Sequence, residues 1–320
     1  MNIFQNATTI QTTGGVLTQS GYETIIKTIC DVFICTPDEI YNIEPLQKGL
    51  SNVILSFEYN GGKYVYRHPG LGSDDLIDRG RESLVQTFVD DIGVDTTLVA
   101  MSARHGWRIS RFINARKFDY HDLNDVVRAI RLIRRLHDTS VKVRWEFDVI
   151  EKAEAIKDLT PIEKYGVKSG LFDNFDIIKE RCYKLYEKTK SDSIRKCLSH
   201  GDCRDENFLI NDKEIHLIDW EYSGYSDPGF DIGTYICGGN HTEKEVDQIL
   251  FIYFGKEPTI EERCHFYAYI AITGFFYMHW TMYKEAHGQV IGYLKGLWHG
   301  YATKYSEIAC NLYKIKGDEM

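Results

Sequence analysis

The chain contains no block of five like charges, no C-x-x-C pair and no Cys/His grouping at zinc-site spacing. Its 38 Lys plus Arg against 47 Asp plus Glu leave a net charge of −9, with no clustered basic footprint. A nucleic-acid partner is therefore not expected, because affinity for the phosphate backbone needs such a footprint. The eight cysteines read as reduced, mostly buried thiols. The opening stretch, 1–15, lacks a basic region followed by an apolar one, so no export signal is expected and the cytoplasm is the expected compartment. Residues 264–283 lack Asp, Glu, Lys and Arg over a span long enough to cross a membrane. They include His265, His279, four Tyr and two Thr, however, and predict a buried helix with no membrane insertion. No internal repeat or low-complexity tract is present.

What is there suits a folded protein of two lobes: 320 residues, 43% hydrophobic and 27% charged. Residues 1–20 are polar and predict a loose tail. A short helix is expected over 22–32 from the spacing of Ile25, Ile26 and Ile29. Short β-like runs follow at 43–47, 53–59 and 63–68, the last two joined by Asn60-Gly61-Gly62, which suits a hairpin. A helix is predicted over 73–90, with Asp74 and Asp75 at its positive end, then strands at 97–101 and 107–113. Beyond Asn114 the pattern turns helical. Asp122 can cap a helix whose stripe is Leu123, Val126, Val127, Ile130, Ile133 and Leu136. Further helices are expected at 148–159 and 174–190, and a β-rich island at 197–219. The fold class is α+β, a small antiparallel sheet lobe followed by a larger helical one.

The island carries the chemistry. It reads Leu198-Ser199-His200-Gly201-Asp202-Cys203-Arg204-Asp205-Glu206-Asn207, then a strand, a turn, a returning strand and Ile218-Asp219-Trp220-Glu221. Such a hairpin can return Asp219 to Asn207. An amide oxygen and a carboxylate, both hard donors, suit Mg²⁺ shared with a nucleotide's phosphates. Asp202, on the same loop, would then accept a substrate hydroxyl's proton. The plainer reading makes Asp202 and Asn207 turn residues only; the strand, turn and Ile-Asp-Trp at the right distance favour catalysis. The spacing resembles the catalytic loop and metal-binding strand of protein kinases, with His-Gly-Asp in place of His-Arg-Asp.

Residues 218–233, Ile-Asp-Trp-Glu-Tyr-Ser-Gly-Tyr-Ser-Asp-Pro-Gly-Phe-Asp-Ile-Gly, narrow this further: they resemble the choline and ethanolamine kinases, in the aminoglycoside phosphotransferase branch of the protein-kinase-like fold. Lys48-Gly49-Leu50-Ser51-Asn52-Val53 is similar to that family's nucleotide loop, which implies phosphate contacts at Gly49, Ser51 and Asn52. Tyr64-Val65-Tyr66-Arg67-His68-Pro69-Gly70 resembles its third strand. There Arg67 would meet the α- and β-phosphates of ATP and pair with Glu82. Lys63, on the same face by alternation, is the rival phosphate ligand, though its place beside the turn suits a solvated side chain. The hinge to adenine would run through 110–113, including Arg111 and Ile113, by backbone groups. His200 and Asp231 are implied as organisers of the catalytic loop. The lobes implied are 21–113 for nucleotide and 114–320 for the catalytic loop and substrate pocket.

The implied activity is ATP- and Mg²⁺-dependent phosphorylation of a small-molecule alcohol, choline or ethanolamine. Residues 275–285 resemble the helix that supplies ring walls to the family's cation pocket, implicating Tyr277 and Trp280, with Tyr293 as a third wall. Core packing is the alternative for each ring. Glu221, two residues after Asp219, is a candidate auxiliary metal or substrate ligand, which strand alternation alone does not decide. Two departures stand out: His-Gly-Asp where choline kinases more usually carry His-Asn-Asp, and Gly238 near the position of their cation-supporting Glu. Asp227 or Glu243 could supply that charge instead. An aminoglycoside or other metabolite kinase is the runner-up, disfavoured by the lack of an acidic insertion, and a pseudokinase binding module the third reading.

Overall fold

The computed structural model describes residues 9–12, 15–46, 52–69, 78–160 and 172–314. The chain divides into two compact units, 1–116 with 209–221, and 117–208 with 222–320.

In the first unit, β1 (Thr9–Thr12) and β2 (Gly15–Thr18) pair antiparallel, where the sequence suggested a loose tail. The polar composition concealed two apolar anchors that sit opposite each other, Ile10 and Leu17, and pack against the core. Helix α1 (Gln19–Phe33) follows, its first turn capped by Thr18, which accepts from the Gly21 amide at 3.2 Å. Tyr22, Ile25, Ile26 and Ile29 form its buried stripe. That stripe packs in one core with Val53, Leu55 and Phe57 of β4 (Asn52–Tyr59) and Tyr66 of β5 (Gly62–Pro69). With β3 (Tyr41–Pro45), β6 (Leu98–Met101) and β7 (Arg108–Arg111) these make a five-stranded antiparallel sheet, ordered β3-β4-β5-β7-β6. Asn60 and Gly61, at φ 46° and 75°, give the β4–β5 turn the left-handed pair a tight hairpin requires.

Helix α2 (Arg79–Asp91) starts at the Asp78 cap, which accepts from the Gly80 and Arg81 amides at 3.0 and 3.1 Å. Asp74 and Asp75 lie outside the described residues. The buried Asp95 takes Arg108 at 2.7 Å, the Thr97 hydroxyl at 2.6 Å and Gln86 at 3.0 Å, tying the helix to the sheet.

The second unit is helical: α3 (Leu123–His137), α4 (Val149–Leu159), α5 (Phe175–Thr189), α6 (Pro228–Gly238), α7 (Glu243–Phe254), α8 (Ile260–Ala286) and α9 (Tyr293–Leu312). Asp122 caps α3 as expected, accepting from Asn124 at 2.8 Å. Of its predicted stripe, Val126, Ile130, Ile133 and Leu136 are buried, whereas Leu123, in the first turn, is exposed. Two strands, β8 (Cys197–Ser199) and β11 (Gly224–Ser226), pair within this unit. The hairpin strands β9 (Phe208–Ile210) and β10 (Ile215–Leu217) form a separate pair.

Helix α8 explains the charge-free stretch. Every residue from 264 to 279 is buried, because α4, α5, α6 and α9 all pack on it, and a helix covered on every side needs no polar face. No helix among the described residues is long and apolar enough to cross a membrane. All eight cysteines are free, and six of them are buried.

Buried His265 on α8 bridges Asp192 and Asp227, each at 2.9 Å. Burial pushes its imidazole down, but the two carboxylates outweigh this and hold it above its ordinary value. A group raised in the native state contributes stability that is complete below its unfolded value, about 6.5, and is lost as pH rises through the native value. His265→Gln is therefore expected to cost about 3 kcal/mol or more at pH 6. The gap to the parent protein should narrow towards pH 9 in thermal melts; a gap independent of pH would remove the ion pairs from the account.

Candidate active site

In the first unit, β5 carries Arg67 on the face opposite Tyr66, and its guanidinium pairs with both Glu82 of α2 and Asp219. Arg79 also reaches Glu82, at 2.9 Å, and Glu221, at 3.9 Å. Two cations thus face three acids. Burial, and then the neighbouring Asp219, push the Glu221 carboxyl up to about 8. Asp219 sits just after β10 at φ 73°, a left-handed conformation that costs a non-glycine residue about 1 kcal/mol or more and that clusters at functional positions. Lys63 is exposed and lies 4.6 Å over the Phe112 ring, so Arg67 is the cation set among the acids. Arg111 is exposed and donates to the Thr96 carbonyl at 3.2 Å, while Ile113 is buried. Gly49 and Ser51 lie outside the described residues; Asn52 opens β4.

In the second unit the segment through His200 and Gly201 hangs from one carboxylate. Asp231, fully buried on α6, accepts from the His200 and Gly201 amides at 2.8 and 2.7 Å and pairs with His137 of α3 at 2.9 Å. Burial would raise its carboxyl, but His137 and the amides hold it below the usual range. His200 in turn accepts from the Asp202 amide at 3.2 Å through Nδ1. Gly201 takes φ 87°, and a Cβ there would lie 2.6 Å from the Tyr222 carbonyl oxygen, so glycine in place of the family's usual Asn fits the crowding. Neither His137 nor its link to Asp231 was legible in sequence.

Asp202 is held on every side. Oδ1 accepts from Arg204 Nε at 2.7 Å and from the Tyr277 hydroxyl at 3.0 Å, while Oδ2 accepts from the Asn207 amide at 3.0 Å. Burial pushes its carboxyl up, but Arg204 overrides this and keeps it below the ordinary aspartate value. The carboxylate is thus ionised and fixed in direction. Asn207 spends its nitrogen on Asp202, leaving an amide oxygen with no hydrogen bond among the described residues.

Tyr277 and Trp280 both touch Trp298 of α9, at 4.5 Å stacked and 5.9 Å edge-on. Tyr277 is buried with its hydroxyl on Asp202, and Lys284 lies 5.2 Å over the Trp280 ring. The open space lies beside them. A cavity of about 500 Å³ is bounded by Tyr120, Arg204, Asp205, Glu206, Tyr293 and Trp298, with Gly238 in its wall. The acids expected to replace the family's Glu are engaged elsewhere: Asp227 caps α6 and pairs with His265, and Glu243 pairs with Lys304 at 3.0 Å. Asp205 and Glu206 stand at the cavity instead. Arg204 and Tyr120 were missed, although Arg204 lies only two residues from Asp202.

A small antiparallel sheet unit and a larger helical unit make the fold protein-kinase-like, and its relatives make the chain a phosphotransferase acting on an alcohol group. The choline/ethanolamine kinase family model matches residues 43–274, and the chain belongs to that family. Protein LicA of Haemophilus influenzae is 26% identical over 255 residues, spanning 76% of this chain and 74% of that protein. In fold, the chain is similar to the crystal structure of choline kinase LicA from Streptococcus pneumoniae, with a TM-score of 0.73 at 21% identity, covering 90% of this chain and 99% of that one. It is similar also to LicA in complex with AMP, at 0.71 and 20%, covering 89% and 98%.

A side chain at Gly238 would collide with the cavity wall, since its Cβ would lie 2.1 Å from the Tyr120 hydroxyl, which itself accepts from the Asp205 amide at 2.8 Å. Gly238→Glu therefore would not simply restore the family's acid. Gly238→Ala is expected to cost about 1–3 kcal/mol by overpacking and measurably less when made in Tyr120→Phe. Chemical denaturation of the four proteins checks this, and additive costs would contradict the clash.

Proposed function

We propose that this protein transfers the γ-phosphate of ATP to the hydroxyl of choline or a related amino alcohol such as ethanolamine, with Mg²⁺ as cofactor and the cytoplasm as its compartment. The observation that carries the reading is Asp202, ionised and held by Arg204, Tyr277 and Asn207. A carboxylate so fixed accepts a hydroxyl's proton without reorganising as the oxygen attacks phosphorus. The AMP-bound relative supports a nucleotide substrate.

Arg67, set between Glu82 and Asp219, is the cation for the α- and β-phosphates. Gly49, Ser51 and Asn52 are assigned to the phosphate loop, and the backbone at Arg111 and Ile113 to the adenine edge. Taken each by itself, Asn207 keeps an amide oxygen with no hydrogen bond among the described residues and Asp219 carries a carboxylate, both hard donors of the kind a divalent ion takes. Asn207 and Asp219 would hold Mg²⁺, with Glu221 auxiliary. The ion, when bound, neutralises charge on the phosphates. His200 and Asp231 keep the loop in shape and take no part in proton transfer.

For the alcohol, the aromatic and acidic wall of the cavity supports a cationic substrate. Tyr293 offers an exposed ring, with the buried Trp298 behind the cavity wall and Tyr277 and Trp280 packed against it, and Asp205 and Glu206 offer negative charge. A quaternary ammonium has no N–H to donate, so ring faces are the physical means of binding it.

Nucleotide consumption with a panel of choline, ethanolamine and aminoglycosides tests the reading. Turnover with an amino alcohol is expected, turnover confined to aminoglycosides would favour the other branch of the superfamily, and none at all would favour a binding module. Asp202→Asn should lower kcat by about 10² to 10⁴ while leaving nucleotide affinity intact; retention of most activity would take Asp202 out of the mechanism. Tyr293, at 79% exposure, can be truncated without disturbing the core. Tyr293→Ala should raise the choline KM about two- to fivefold, the loss of one exposed cation–π contact, with the ATP KM unchanged. Equal effects on both substrates would remove it from the alcohol site.

A further inference from the structure

Three side chains from separate parts of the second unit meet beside the cavity: His121, just before α3, His241, in the loop after α6, and Glu245, in the first turn of α7. One donor atom from each lies within 4.8 Å of the others. His121 Nδ1 and Glu245 Oε1 are 2.9 Å apart. Helix capping spends the other carboxylate oxygen: Glu245 Oε2 accepts from the Thr242 amide at 2.7 Å and the Thr242 hydroxyl at 2.8 Å. The cap thereby fixes the direction of Oε1.

His241 makes the cluster more than a surface ion pair. It is 7% exposed, yet neither ring nitrogen has a hydrogen-bond partner among the described residues. A buried polar atom without a partner costs about 1–3 kcal/mol, and here there are two on one ring. The ring is edge-on to Tyr120 at 5.4 Å and stacked with Tyr235 at 6.0 Å, contacts that hold it without satisfying it. Glycine at 239 keeps the space open, since a Cβ there would sit 2.6 Å from His241 Nε2.

We propose that His121, His241 and Glu245 form a second metal site, of the zinc class, distinct from the oxygen-donor magnesium site. Two imidazoles and one carboxylate are a borderline donor set that selects Zn²⁺ or Co²⁺ over Mg²⁺. Ligands about 2.0–2.1 Å from a tetrahedral ion stand about 3.4 Å apart, so closure requires shifts of about an ångström in the half-exposed His121 and in Glu245. Water would take the fourth position. A bound ion would give His241 the partner it lacks and pin the loop beside Gly238 and Gly239 to the segment carrying Tyr120, two walls of the cavity. The assignment does not rest on the phosphotransfer reading.

Equilibrium dialysis of the full chain against Zn²⁺ in excess Mg²⁺, with Co²⁺ absorption as the geometric readout, tests it. One equivalent of Zn²⁺ is expected, together with tetrahedral Co²⁺ bands. His121→Ala lies at an exposed position, and Glu245→Gln keeps a capping residue. Each should weaken binding at least tenfold and abolish the bands while leaving the metal-free melting temperature nearly unchanged. No stoichiometric Zn²⁺ on the parent protein, or equal binding and equal spectra in both variants, would overturn the site.

Discussion

Asp231 is a fully buried carboxylate that accepts from two consecutive loop amides and pairs with His137. An uncompensated charge at that depth would cost several kcal/mol; here each partner returns a charge-assisted hydrogen bond of about 1.5–3 kcal/mol. Helix α3, helix α6 and the segment through His200 and Gly201 are thereby tied to a single atom pair. The Cys203 amide adds a further tie to α6 through the Thr234 hydroxyl at 2.9 Å. Only with the loop so anchored can Asp202 point its carboxylate in one direction.

Charge is arranged differently in the two units. Around Asp202, Arg204 offsets the carboxylate and keeps it ionised. Around Arg67, acids outnumber cations, and burial, then Asp219, pushes the Glu221 carboxyl up. The two clusters thus differ in charge balance: one carboxylate matched by a guanidinium, and three acids set against two. The same two motifs in sequence, Asp before Asn and Asp after a strand, say nothing of this difference, which depends on burial and on Arg204, Arg67 and Arg79.

The aromatic surplus has two uses. Tyr267, Tyr269, Phe275, Phe276 and Tyr277 fill the centre of α8 and are buried, while Tyr293 stays exposed at the start of α9. Ring content alone could not separate walls from core, because both need large apolar faces. Packing distinguishes the covered rings from the exposed one: α8 is covered by four helices, and the free space opens at α9 and at the loop after α6.

The sequence by itself determined the five-stranded sheet, α1 and α2 of the first unit and the Asp122 cap and stripe of α3, because each rests on local period or turn chemistry; the family was legible through the resemblance of residues 48–53, 64–70 and 198–233. It did not reveal the β1–β2 pair, whose anchoring depends on a core contributed by α1 and the sheet. Tertiary structure alone decided that Tyr120 occupies the room above Gly238, that Arg204 clamps Asp202, and that Asp227 and Glu243 are engaged away from the cavity. It also decided that His121 and His241, far apart in the chain, stand beside Glu245. The physical reason is common to all four: direction and burial of a side chain are set by elements that pack against it from distant parts of the chain, and no local pattern encodes which neighbour arrives.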